Sequence, residues 1–343
     1  MANKLLECGI VPQKVTIYDI AKFAKVSPST VSRVVNNHPN VNKATRARIL
    51  KLLTEYSYIP NETARNLVTQ SSRMVGVLIS DIRTTHHTDA IFYLQRELSK
   101  HGYSCLIYNT GVSDEEQVQY VQVLQQRKVD AAVLIGSIYQ TESMKRALKK
   151  YLSNIPVFIC NGYLDLPNVY GIIADERGGV FDCVKLLADK GRTDTAFVVN
   201  NYTPSNLLKR EGFEAGVARF CPGKSPVVVE CGENLPGDVC QAVQNLMQEH
   251  PQTRGIIFSE DLLAVIGIRA LTEMGFRIPE DVAIIGINNS SYAEICTPTL
   301  TSLDNMLYDL SLTMAKNVFS VLQEEHISHK IMIYSQIEER QST

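Results

Sequence analysis

Between residues 17 and 56 the apolar positions recur at helical spacing. Ile17, Ile20, Ala21 and Ala24 fall at i, i+3, i+4 and i+7, which places them on one face of a first helix. Val31, Val34 and Val35 share one face of a second, short helix. Ser27 suits its N-cap, Pro28 its first position, and Asn36 and Asn37 supply a stop. Lys25, Val26 and Ser27 form the tight turn between the two, while Ser29, Thr30, Ser32 and Arg33 make the outward polar surface. Valines are poor helix formers, so this helix must be stabilised by packing on its neighbour. Asn42 can cap a third helix over residues 43–56, with Ile49, Leu52, Leu53 and Tyr56 inward and Lys43, Arg46, Arg48 and Lys51 elsewhere. Helix, tight turn and a hydroxyl-rich second helix bearing an arginine is the pattern of a DNA-binding helix-turn-helix.

From Met74 onward the grammar changes to short apolar runs alternating with helical patterns. Residues 75–79, 104–108, 131–135 and 157–160 read as buried parallel strands, with helices near residues 90–101, 115–127 and 143–152. The rhythm returns with strands at 195–199, 227–230, 255–258 and 282–286 and helices near 205–220, 237–249 and 261–274. A strand near 301–303, a helix over about 307–324 and a single strand over 330–337 close the chain. Two successive βα arrays predict two doubly wound subdomains with a cleft between them.

Composition adds a charge asymmetry to this picture. Residues 1–73 hold 11 Lys and Arg against 4 Asp and Glu, and the rest of the chain holds 23 against 32. A basic head on an acidic body fits a polyanion-binding module attached to a unit that does not bind polyanions. No run approaches the length of a membrane span, and residues 1–14 lack the pattern of a secretory signal, so the expectation is a cytoplasmic protein. The eight scattered cysteines, with no C-x-x-C pair, read as reduced and mostly buried.

The head carries a family resemblance. Val15, Thr16, Ile17, Tyr18, Asp19, Ile20 and Ala21, then the run from Thr30 to Asn36, then Thr45, Arg46, Pro60 and Asn61 closely resemble the head of lac-repressor-type bacterial transcription regulators. The resemblance implies that Pro28, Ser29 and Arg33 face base edges in the major groove. Arg33 suits bidentate reading of guanine, worth about 1–3 kcal/mol of discrimination; a phosphate contact is its alternative. Tyr18, Ser32, Asn36 and Asn37 clamp phosphates in this reading, and Thr16, Ser27 and Thr30 complete the DNA-facing set.

Residues 61–72 form the hinge in the same reading. It folds when two copies meet in the minor groove, with Leu67 wedged into a base step and Arg65 beside it; the alternative is that Leu67 anchors a linker to the body. Asn66 stands where the family more often has serine or glycine.

The resemblance continues through Gly76 and Val77, Arg210 to Phe213, Pro279 to Val282, and Ile337 to Arg340, and implies the periplasmic-binding-protein fold. The expected organisation is therefore a flexible extension at residues 1–14, an all-α helix-turn-helix head at 15–60, the hinge at 61–72 and an α/β sensor at 73–343. Within the sensor the N-subdomain takes 73–174 and 305–325, and the C-subdomain takes 175–304 and 326–343. The sequence ends without a leucine heptad segment, which favours a homodimer over a tetramer.

In such a fold ligands sit at the carboxyl ends of strands facing the cleft. Those ends offer Asp81, Arg83, His86, His87, Asn161, Asp175, Asn206, Arg210, Glu260 and Asn288 as effector-binding candidates. Arg210 matches the family's ligand-binding arginine, with a structural salt bridge as its alternative; Asp175 is either a ligand acceptor or an N-cap. The loop from Asp81 to His87 has no proline or aromatic wall but an arginine and two imidazoles, and Asn288 and Asn289 stand where the family tends to have acids. Both departures favour an anionic ligand such as a sugar acid over a neutral sugar, while Glu260 argues the other way. His86, His87 and Asp89 do not complete a metal site, the histidines reading otherwise as exposed loop residues, and no cofactor is expected.

The expected function is a dimeric repressor of carbohydrate or sugar-acid genes that binds a pseudo-palindromic operator under control of a small-molecule effector. The alternatives are a ligand-independent or architectural DNA binder and, less well matched by the basic head, a sugar-binding transport receptor. An enzyme is not expected, because the sequence shows no G-x-x-x-x-G-K-[ST], G-x-S-x-G or H-E-x-x-H pattern.

Overall fold

The computed structural model describes residues 15–35, 38–58, 71–232 and 235–343. The chain divides into two compact units at residues 70 and 71. In the first unit, α1 (Ile17–Ala24), α2 (Pro28–Val35) and α3 (Lys43–Glu55) pack around Ile20, Ala21, Ala24, Val31, Val34 and Ile49, all buried. Thr16 and Asp19 form a reciprocal capping box that fixes the start of α1. Lys25, in the left-handed region at φ 51°, ends α1 and turns the chain into α2. The Ser27 hydroxyl accepts from the Thr30 amide at 3.3 Å, and the Asn42 carboxamide caps α3 from the Ala44 amide at 2.8 Å. Tyr56, expected in the core, instead lies at the surface with its ring stacked on Phe23, centroids 4.9 Å apart. A unit this small runs out of interior before it runs out of apolar side chains.

The second unit contains two six-stranded sheets. The first has the order β11-β5-β4-β3-β1-β2, all parallel where paired, and uses β1 (Met74–Ile79), β2 (Ser104–Asn109), β3 (Ala131–Ile135), β4 (Val157–Cys160), β5 (Val169–Ala174) and β11 (Lys330–Ile333). It is covered by α4 (Thr85–Lys100) and α12 (Leu307–Leu322) on one face and by α5 (Asp114–Arg127) and α6 (Glu142–Tyr151) on the other. The second sheet has the order β12-β10-β9-β8-β6-β7, from β6 (Thr195–Val199), β7 (Val227–Glu230), β8 (Gly255–Phe258), β9 (Ala283–Ile287), β10 (Thr301–Asp304) and β12 (Gln336–Glu338). Its faces are covered by α7 (Glu176–Asp189) and α8 (Pro204–Phe220), and by α9 (Gly237–Glu249), α10 (Asp261–Glu273) and α11 (Ser291–Ile295). Burial on both faces explains why these strands read as continuous apolar runs.

Three features depart from the sequence reading. The expected strand over 330–337 is two: β11 extends the first sheet beside β5, and β12 pairs antiparallel with β10 in the second, so residues 330–333 belong to the N-subdomain rather than to the C-subdomain. The strand β5 was not anticipated, because Tyr170 and Gly171 interrupt its apolar run. Finally, α4 starts at Thr85, five residues earlier than the periodicity suggested. The chain therefore crosses between the sheets three times, at residues 174–176, 304–307 and 333–336.

These crossovers are tied together by side chains. Asn305, 1% exposed, donates through Nδ2 to Glu176 Oε1 at 3.2 Å and to Asn288 Oδ1 at 3.1 Å, and accepts from the Ser335 hydroxyl at 3.0 Å. One carboxamide, itself in the second crossing, thus touches a residue of each of the other two and the end of β9. Asp261 does similar work nearby: it accepts from the Ser290 amide and hydroxyl and from the Ser302 hydroxyl, at 2.6 to 2.8 Å. Burial outweighs those bonds and pushes its carboxyl up to about 6.

Candidate functional site

In each sheet the strand order reverses, at β1/β3 in the first and β6/β8 in the second. The carboxyl ends of these strands face one cleft of about 430 Å³. Its walls come from the ends of β1 (Ser80, Asp81), β3 (Gly136, Ser137), β4 (Asn161), β6 (Asn200, Asn201), β8 (Ser259, Glu260) and β9 (Asn288), with the first turns of α4, α7 and α8. This is the crevice that parallel α/β sheets leave for a ligand. The two sides touch where the Ser205 amide of α8 donates to the Ser137 hydroxyl at 3.0 Å.

Eight of the ten effector candidates line this cleft: Asp81, Arg83, His86, His87, Asn161, Asn206, Glu260 and Asn288. Asp175 does not. Its carboxylate caps α7 through the Gly178 amide at 3.0 Å, the N-cap alternative. Arg210 does not line it either; it pairs with Glu214 one turn along α8, Nε to Oε1 2.7 Å, with both side chains about 40% exposed. The residue that enters is its neighbour. Lys209 is 5% exposed and shares the buried face of α8 with Asn206, Gly212, Phe213, Gly216 and Val217. The helical spacing of that face was the signal in the sequence, since Asn206, Lys209 and Phe213 stand at i, i+3 and i+7.

The Lys209 ammonium is held inside the protein. It donates to Asn206 Oδ1 at 3.1 Å and to the Ser259 carbonyl at 3.1 Å, and lies 3.4 Å from Glu176 Oε1, which is 2% exposed. Two of its three donors are hydrogen-bonded and its charge is paired with Glu176. Arg83 is likewise closed on Asp81 in a fork, Nε to Oδ1 3.0 Å and Nη2 to Oδ2 2.6 Å, with the arginine side chain 87% exposed. The Arg83 guanidinium holds the Asp81 carboxyl below its usual range. Arg83, the loop cation that suggested an anionic ligand, and Lys209, the buried one, are therefore both paired within the protein.

The remaining groups are mostly acceptors or neutral. His86 and His87 sit in the first turn of α4 rather than in an exposed loop, their rings 6.3 Å apart and inclined at 64°. Burial, with His87 and Lys209 nearby, pushes His86 down to about 3, and its Nδ1 is buried with no hydrogen-bond partner. His87 is also shifted down by burial while its Nδ1 lies 2.9 Å from the Asp81 carbonyl. The Ser259 hydroxyl, in a residue 1% exposed, lacks a partner as well. Glu260 accepts from Asn200 Nδ2 at 2.9 Å, and burial raises its carboxyl against the opposing effects of Lys209 and Asn200. Asn161 gives its carboxamide oxygen to the Ala174 amide at 3.2 Å, and Asn206 gives both ends to Asn201 and Lys209, so Asn206 positions others. Among the described residues no group of three or more His, Cys, Asp or Glu could hold a metal ion.

The head presents its own surface. Ser27, Pro28, Ser29 and Arg33 are exposed along α2, Thr30 and Ser32 are half-buried, and Tyr18 on α1 is 71% exposed. Thr16 and Ser27 are engaged as caps, and Arg46 donates to the His38 carbonyl. Asn36, Asn37, Arg65 and Leu67 lie outside the described residues.

Residues 16–61 match the model of bacterial regulatory proteins of the lacI family, and residues 184–343 match that of the periplasmic binding protein-like domain. An HTH-type transcriptional regulator of Lachnoclostridium phytofermentans is 31% identical over 95% of this chain and 99% of its own length. The chain belongs to the lacI family. It is a DNA-binding transcriptional regulator with an effector-binding sensor. Catabolite control protein A of Priestia megaterium is 28% identical over 96% of this chain and 99% of its length. The lac repressor dimer bound to operator and an anti-inducer has the same fold, with a TM-score of 0.86 over 96% of this chain and 99% of that one at 21% identity. A cellobiose complex of the regulator CelR superposes with a TM-score of 0.70, over 96% of this chain and 100% of that one at 21% identity. No helix among the described residues is long and apolar enough to cross a membrane.

Proposed function

We propose that the protein is a homodimeric cytoplasmic repressor, without catalytic activity, that binds a pseudo-palindromic operator and releases or grips it according to the occupancy of the sensor cleft. The observation that carries this reading is the joint presence of an exposed, hydroxyl-rich α2 bearing Arg33 and a polar cleft at the paired switch points of two sheets. Pro28, Ser29 and Arg33 read bases in the major groove, with Arg33 forked on a guanine; Tyr18 and Ser32 hold phosphates, as do Asn36 and Asn37. Leu67, with Arg65, inserts in the minor groove at the centre of the site, where only a pair of chains places two wedges side by side.

The effector reading differs from the expectation of a sugar acid. A carboxylate entering this cleft would meet Glu260 and find Lys209 and Arg83 already paired. The carboxylate of Glu260 and the carboxamides of Asn200, Asn201 and Asn288 on the cleft wall suit a ligand rich in hydroxyls, as sugars are. Solved relatives include one with bound cellobiose and one with bound ribose.

Because Asn305, in the second crossover, touches the other two and Asn288, and Glu176 joins it to Lys209, closure on a ligand is transmitted to the whole crossing region. Selection of bound duplexes from a random pool tests the DNA half of this reading. Recovered sites should be pseudo-palindromic, and Arg33→Ala should relax one guanine position by about tenfold. Recovery of sites without dyad symmetry would refute it.

A further inference from the structure

We propose that the cleft is built for a polyhydroxylated ligand carrying a protonated amine, an amino sugar, with the Glu260 carboxylate as its counter-ion. This rests on reading the cleft as the effector site. The argument is a charge inventory. Among the described residues the charged side chains lining the cleft are Asp81, Arg83, Glu176, Lys209 and Glu260. The first two close on each other in a fork, and Glu176 and Lys209 form a buried pair. Both imidazoles are driven toward the neutral form by burial. Glu260 is left without a cation within 4.0 Å among the described residues: the Asn200 carboxamide donates to one oxygen, and burial raises this carboxyl against the weaker opposing pull of Lys209, so it holds its charge best when the ligand brings a cation.

An unpaired carboxylate on the half-buried wall of a cleft is costly, and an ammonium from the ligand supplies the missing partner. Lys209 faces the same pocket but is hydrogen-bonded to Asn206 and Ser259 and has its charge paired with Glu176. The other titratable group that feels Glu260 is the Cys231 thiol, which burial keeps protonated. The hydroxyls of the ligand are the remaining half of the fit. Ser80, Asn200, Asn201 and Asn288 line the same cavity with partly exposed polar side chains that can pair with them, whereas the Ser259 hydroxyl and His86 Nδ1 are themselves closed to solvent.

The test compares charge states of one sugar skeleton on the full-length protein by calorimetry. Glucose, glucosamine and glucuronate form one series, and galactose, galactosamine and galacturonate a second. In the series that binds, the amine should bind at least about tenfold more tightly than the neutral sugar, and the acid least of all. Glu260→Gln should bring the amine down to the neutral sugar, and Glu260→Asp should keep part of the preference. A neutral or acidic form binding as tightly as the amine overturns the proposal while leaving the effector site standing, as does a Glu260→Gln protein that still prefers the amine. If no form in either series binds, the reading of the cleft as a hexose effector site falls with it.

Discussion

At the scale of single residues, adjacent positions on α8 have opposite energetic roles. Removing Lys209 as Lys209→Met leaves Glu176 buried without its cation, which costs about 3–5 kcal/mol. Arg210→Ala removes a half-exposed pair with Glu214 and should cost under about 0.5 kcal/mol. Urea unfolding of the two variants checks this, and equal losses would place the buried cation elsewhere. His86 makes a second residue-scale prediction. Its folded value, near 3, lies below its ordinary value of 6.5, so its neutral form is the one the fold accommodates. Its contribution to stability is fully present above about pH 6.5 and is lost as pH falls toward 3. Asp261 runs the other way: its carboxyl is raised from 3.8 to about 6, so its contribution is largest below pH 4 and is lost as pH rises through 6. His86→Gln should therefore flatten the acid limb of the stability profile, and Asp261→Asn should remove the decline between pH 4 and 6, both read by denaturant midpoints.

At the scale of elements, the close approach of α7 and α8 depends on Gly212. A Cβ there would lie 2.2 Å from the Arg177 carbonyl, a backbone atom that cannot move aside without shifting α7. Gly212→Ala should destabilise the sensor by about 1–3 kcal/mol or more. Gly237→Ala, at the start of α9 where a Cβ meets nothing within 4 Å, should be neutral or slightly stabilising. Thermal unfolding of both variants separates the packing effect from the propensity effect. The same packing logic explains what the sequence disclosed. Strands buried on both faces, such as β1, β3 and β8, are legible as short apolar runs because neither face needs polar residues and the runs are too short for a helix. The family likeness points to Arg210, whereas the helical face marked by the apolar Phe213 and Val217 points to Lys209. The split of residues 330–337 had no local signal. It is set by which sheet edge lies beside each end, a tertiary fact. The internal pairing of Arg83 with Asp81 was equally invisible, since two residues apart in sequence says nothing about whether a fork closes.

At the scale of the whole molecule, the function is a coupling between two binding events, and coupling is reciprocal. An effector that changes operator affinity by some factor must have its own affinity changed by the same factor when operator is bound. The structural candidate for the carrier is Asn305, whose carboxamide joins Glu176, Asn288 and Ser335 across the crossovers and reaches Lys209 through Glu176. Asn305→Ala removes those bonds, two of them to the cleft residues Glu176 and Asn288, while Asn305 itself does not line the cleft. Effector affinity and operator affinity, each measured alone, should then change by less than their ratio in each other's presence. That ratio, from anisotropy titrations with and without saturating ligand, should move toward one from a value of about 5–150. An Asn305→Ala protein that keeps the full ratio while both single affinities stay near wild type would show that the coupling runs by another route. Operator affinity should also fall linearly with the logarithm of salt, with a slope set by the phosphates the basic head neutralises. Effector affinity for an uncharged sugar should barely respond to salt, so salt separates the two binding events that ligand and DNA join.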